Sequence, residues 1–132
     1  MAGQLTIDTL KASSGVLATQ NGMTGIAKAW VSFNGVTGSI YGTAFNVGSI
    51  TKTTTGQYVV NMTTAMPNSN YGVIASTSVS LSPLCSENIN INAGSAWSVI
   101  APTTSSFAIA TARYNGGAQD DTTYITAVVF SS

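Results

Sequence analysis

The sequence predicts an all-β protein: an antiparallel β-sandwich or jelly roll with an extended N-terminal arm. Three observations predict it. Apolar residues recur with period two and almost never with the helical period. Gly, Thr, Ser and Asn interrupt every window long enough for a helix. Short alternating runs are divided at regular intervals by strong turn signals, as in sandwiches and jelly rolls. Two packed sheets of about four strands each are expected.

Taken in order, residues 1–27 form an arm or an edge strand, and residues 28–132 form the sandwich domain. The arm opens with LTIDTL and continues through small residues with little to bury. Leu5, Ile7 and Leu10 are its candidate assembly contacts, because an apolar strand with few contacts of its own leaves backbone groups for a neighbour to satisfy. Residues 28–33 put Lys28, Trp30 and Ser32 on one face and Ala29, Val31 and Phe33 on the other. Asn34-Gly35 follows, the pair favoured in type I′ hairpins, so Trp30 and Phe33 anchor opposite faces of a strand that reverses there. Residues 39–45 form the next strand. Residues 57–62 place Tyr58, Val60 and Met62 together. Met66-Pro67-Asn68-Ser69-Asn70 divides that strand from residues 71–78, where Tyr71, Val73 and Ala75 oppose Ile74 and Ser76. Ser82-Pro83 opens an irregular segment running to about Gly94, within which Asn88, Asn90 and Asn92 alternate with Ile89 and Ile91 as a polar strand face or ladder. Residues 95–100 carry Trp97 and Val99. The longest strands, 106–114 and 122–130, flank Asn115-Gly116-Gly117.

Composition excludes several chemistries. The chain has 132 residues, the size of one domain, and no second domain or linker is expected. Charged residues make up 6% and cancel to zero net charge, against about 25% in an average soluble domain. No basic footprint for nucleic acid or an anionic membrane exists. Ser and Thr supply roughly a quarter of the chain, so the polar surface is mainly hydroxyl and amide. A neutral surface promotes association, and much of it is expected to be covered in a homo-oligomer, a dimer or trimer. The single cysteine, Cys85, forms no intrachain disulfide and reads as a small buried hydrophobe. MAGQLTIDTL has neither a basic nor an apolar signal-peptide region. No apolar run approaches a membrane span.

No histidine is present, which removes the commonest general base and metal ligand. Ser49-Ile50-Thr51-Lys52 matches the S-x-x-K pattern of acyl enzymes but lacks a helix and the companion motifs. Asn61-Met62-Thr63 is a sequon of little weight without a secretory signal. Asp120 and Asp121 would point to opposite faces of a strand; in a loop they are too few oxygens for calcium, and a solvated loop is the expectation. Trp30, Tyr41, Tyr58, Tyr71 and Trp97 could line a carbohydrate platform, but aromatics of an all-β domain more often form its core. No catalytic residue, cofactor or metal site is expected.

Residues 25–76 carry a resemblance. AKAWVSFNG, then AFNVGSITKTTTGQYVVNMTTAMPNSNYGVIAS, resembles a family of small tailed-bacteriophage virion proteins. Its members run K/R-A-W-V-x-F-N-G, an F-N-V-S-S-I-T strand, G-x-Y-x-V-N-F-T-x-A-M-P, then N-Y-x-V. Trp30, Phe33, Phe45, Tyr58, Met66, Pro67 and Tyr71 fall on these blocks and form the candidate family-motif core. LTIDTLKASSG resembles the family's opening, and the two long final strands its ending. Two features depart from it. GVTGSIYGTA is longer than the usual G-T-G-T-V turn, and the trimeric stalk of a fibre is lacking. The resemblance implies a non-enzymatic structural protein of the virion, made in the host bacterial cytoplasm. A capsid decoration (cement) protein partnered by itself and the major capsid protein is the leading expectation. A tail- or head-fibre receptor-binding knob, contacting a host-surface glycan, is the alternative, and a carbohydrate-binding module unrelated to virions a third.

Overall fold

The computed structural model describes residues 26–78, 87–91, 99–113 and 118–131. They form seven strands in two antiparallel sheets that pack as a β-sandwich. The strands are β1 (Ala27–Phe33), β2 (Val47–Thr54), β3 (Gln57–Met62), β4 (Gly72–Thr77), β5 (Glu87–Ile91), β6 (Ser106–Arg113) and β7 (Ile125–Phe130). One sheet has the order β1-β7-β4 and the other β2-β3-β6-β5. Among the described residues the sheets thus hold three and four strands, not four each. The expected strand around Leu5, Ile7 and Leu10 lies outside the described residues, as do Cys85, Trp97 and Asn115-Gly116-Gly117. Ala27, assigned to the arm by sequence, is already part of β1.

Alternation puts the core between the sheets. Ala29, Val31 and Phe33 from β1 and Ile125, Ala127 and Val129 from β7 meet Tyr58, Val60 and Met62 from β3 and Phe107 and Ile109 from β6. Phe33 and Tyr58 meet edge to face with centroids 5.4 Å apart, and Tyr71 and Phe107 do so at 6.2 Å. Such pairs contribute about 0.5–1.5 kcal/mol beyond the area they bury.

Three local expectations are corrected. Lys28 does not share the exposed face of Trp30; it is 0% exposed, because the register slips between Ala27 and Ala29 and displaces it from the alternation. Asn34-Gly35 is not a two-residue turn. The Asn34 carboxamide oxygen accepts from the Val36 and Thr37 amides, Gly38 donates to the Asn34 carbonyl at 2.7 Å, and the left-handed residue is Gly38, at φ 76°. This longer loop closes on Ser39. Residues 39–45 form no strand: only Ile40 and Phe45 bridge to β1, at Phe33 and Trp30, and Gly42 breaks the run between them with φ 61°.

Asn46 then turns the chain from the edge of the first sheet into the second. Its backbone is left-handed at φ 53°, a conformation asparagine tolerates better than most residues. Its carboxamide ties the Lys28 carbonyl to both backbone groups of Thr64. Val47–Thr54 follows as an edge strand, bulged near both ends. The segment read as irregular contains β5, paired residue for residue with β6 from Glu87 opposite Arg113 to Ile91 opposite Ile109. The Asn/Ile alternation was the signal for it.

Candidate functional site

Two features stand out once the core is subtracted: a polar clasp at one end of the sandwich and an apolar row on the outside of the three-stranded sheet. The clasp is built on residues 119–122, which cross from one sheet to the other. Gln119 bridges to Ala112 of β6, and the Asp120 amide donates to the Thr111 carbonyl at 3.1 Å. Two residues on, the Thr122 carbonyl accepts from the Gly35 amide at 2.9 Å, and its hydroxyl bonds to Thr77 of β4.

Asp121 sits at the centre. One carboxylate oxygen accepts from the Gly56 amide at 2.8 Å and the Tyr58 hydroxyl at 3.1 Å; the other meets the Lys52 ammonium at 2.5 Å. Lys52 also donates to the Val36 carbonyl at 3.0 Å. Burial alone would raise the Asp121 carboxyl, but the bonds from Gly56, Lys52 and Tyr58 outweigh it and hold the group below its ordinary value. Burial, with the Asp121 charge adding, pushes the Tyr58 hydroxyl far up, so it stays a protonated donor. Asp121 is therefore a half-buried structural acceptor rather than the solvated loop residue the sequence suggests. Asp120 takes part through its backbone, its carbonyl accepting from the Thr111 hydroxyl at 2.6 Å.

Gly56 closes the β2–β3 hairpin with φ 67°. A Cβ there would lie 2.6 Å from the Thr111 carbonyl oxygen and 2.7 Å from the Asp120 nitrogen. At Gly35 it would lie 2.5 Å from the Thr122 oxygen and 2.6 Å from the Tyr58 hydroxyl. Both turns thus press backbone against backbone around the same clasp.

The S-x-x-K residues are not brought together. Ser49 lies with Thr51 and Asn61 on the outward side of β2 and β3, where the Asn61 amide donates to both hydroxyls. Lys52 has the opposite parity and serves Asp121. The sequon asparagine is thus engaged in the sheet. Among the described residues, no three His, Cys, Asp or Glu side chains gather as a metal site, and no helix is long and apolar enough to cross a membrane.

The seven motif residues divide. Phe33, Tyr58, Met66 and Tyr71 lie in the core cluster. Trp30 and Phe45 are 38% and 40% exposed, and Pro67 is exposed in the loop before β4. Trp30 and Phe45 are excluded from the core because β1 spends its other face there. Each bonds the other's backbone, Trp30 N–H to Phe45 O at 3.0 Å and the reverse at 2.9 Å. Paired strand residues share a face, and the register extends the row: Trp30 opposite Val128, Val128 opposite Ile74. Phe45, Trp30, Val128 and Ile74 therefore run side by side across the outside of the sheet, Ile74 being 65% exposed. The sequence carried a sign of it, since Ile74 shares the parity of Ser76 and not of Val73. Nearby, Tyr41 and Tyr124 stack with centroids 4.5 Å apart, and the Tyr41 hydroxyl donates to the Thr123 carbonyl.

No protein-family model, curated protein or solved structure matches this chain.

Proposed function

We propose that the protein is a non-enzymatic structural component of a bacteriophage virion, a capsid decoration protein bound to the major capsid protein on the outside of the particle. The observation that carries the reading is the division of labour among its polar and apolar groups. The candidate chemical groups, Lys52, Asp121, Tyr58 and Ser49, are engaged in bonds that hold strands and turns together. Trp30, Phe45 and Ile74, large apolar side chains left exposed, fall in an ordered row with Val128 across one sheet. Such a molecule is suited to adhering through its faces. The sequence resemblance supports the virion setting.

The test is a density map of purified particles together with a protein count. Decoration requires this chain on the shell, at the abundance of a shell lattice site. Finding it only at a tail or fibre, or in too few copies for the lattice, rejects decoration. The exposed Tyr41–Tyr124 stack favours a second reading, a fibre knob that places aromatic rings against a sugar of the host surface. In that case purified protein competes with particles for adsorption to host cells, and Tyr124→Ala abolishes the competition.

A further inference from the structure

We propose that the outer face of the β1-β7-β4 sheet joins two copies of this chain face to face, about a two-fold axis that lies in the interface along β7. This deepens the assembly reading above by naming the surface through which copies meet. It is tested on purified protein, so its failure is separable from a failure of the virion assignment.

Three observations lead to it. The first is chemical. The outward positions of the three strands are Ala27, Trp30 and Ser32, then Thr126, Val128 and Phe130, and then Gly72, Ile74 and Ser76. None is charged, so stacking the face on itself buries no unpaired ion. The Ser32 and Thr126 hydroxyls, 2.9 Å apart, already bond to each other. Each keeps one partner when water leaves, which lowers the cost of burying the pair.

The second is shape. Phe45 and Trp30 make one end of the row bulky, while β4 at the other end presents Ile74 between Ser76 and Gly72. An axis along the central strand reverses the order of the lanes, setting the aromatic end of each copy on the low end of the other. Isologous contact needs such self-complementarity, and stacked sheets with strands nearly aligned are a common packing.

The third is size. Three strands spaced ~4.8 Å apart, with about six residues rising ~3.3 Å each, give a face of roughly 300 Å² in plan, to which Phe45 adds one side chain. Side-chain relief raises the accessible area above this, so two copies together bury on the order of 1,000 Å², the low end for a specific interface.

The experiment is sedimentation and light scattering of the whole chain across a micromolar concentration series. The wild type runs at twice the 13.5 kDa chain mass. Ile74→Lys, at a position open enough to accept it in the monomer, brings an ammonium onto both halves of the contact. It weakens dimerisation by about thirtyfold or more, as truncation of a hot spot does, and gives the mass of one chain. Ser76→Lys does the same from the neighbouring row. Thr53→Lys, on the exposed edge strand of the other sheet, leaves the dimer intact. Circular dichroism confirms that each variant is folded as the wild type is. A wild type of single-chain mass throughout overturns the proposal, and so does Ile74→Lys or Ser76→Lys at the wild-type mass.

Discussion

At the residue scale, much of the fold's precision rests on small groups in the clasp. Gly56→Ala meets two obstacles, a left-handed φ and backbone atoms of Thr111 and Asp120 inside contact distance. It should cost upward of about 2 kcal/mol in chemical denaturation, near the top of what a one-methyl change does. The Asp121 carboxyl is depressed in the folded chain. Its contribution is complete above its ordinary value of 3.8 and is lost as pH falls through the lower folded value. Acid titration of the melting temperature should show a decline beginning near that value, and Asp121→Asn should flatten it while lowering stability at neutral pH. Tyr71 gives the opposite case. Burial raises its hydroxyl to about 12 from 10.0, so its contribution is whole below pH 10 and drains away between those values. Tyr71→Phe should remove that alkaline loss, and should lower neutral stability by about 1 kcal/mol, since the hydroxyl donates to the Thr103 and Ser106 carbonyls. Little of this was legible in the sequence. Lys52 and Asp121 are 69 residues apart, and nothing local says that they meet. The crowding at Gly56 likewise arises from segments remote in the chain.

At the level of elements, legibility follows the source of the signal. Gln57–Met62 was readable to the residue because its alternation and its burial coincide, Tyr58, Val60 and Met62 all facing inward. The strand β1 was readable except at Lys28, where a register slip overrides parity. Residues 39–45 misled because Ile40, Ala44 and Phe45 look strand-like, while the decisive events, positive φ at Gly38 and Gly42, are properties of backbone. β5 was obscured by Ser82-Pro83 upstream, although its Asn/Ile alternation was visible. The outward row was half legible: Trp30 and Phe33 were separable by parity, but Phe45 joins Trp30 only through a bridge that no local pattern specifies. Packing between the elements is testable at Phe33, which is fully buried and meets Tyr58 edge to face. Phe33→Ala should lower unfolding free energy by about 3–5 kcal/mol, whereas Trp30→Ala, half out of the core, should cost much less in the same denaturant titration.

For the molecule as a whole, electrostatics has little leverage. Eight charged side chains cancel, and the Lys52–Asp121 ion pair sits half-buried, where salt screens it weakly. The melting temperature should change little between low and molar sodium chloride; a large shift would mean that charge holds the fold together after all. One consequence follows from the strand order. β7 lies in the middle of its sheet, between β1 and β4, although it is the latest of the seven in the chain. Its partners emerge from the ribosome long before it, and among the described strands none stands between them to give an edge on which to align. Half of the sandwich therefore waits, open-edged, until residue 130 has been made. Folding of that layer is governed by slow, distant pairing. During that interval the edges of β1 and β4 stand open to pairing with a sibling chain, and the bulge in β1 is the guard that the fold itself provides.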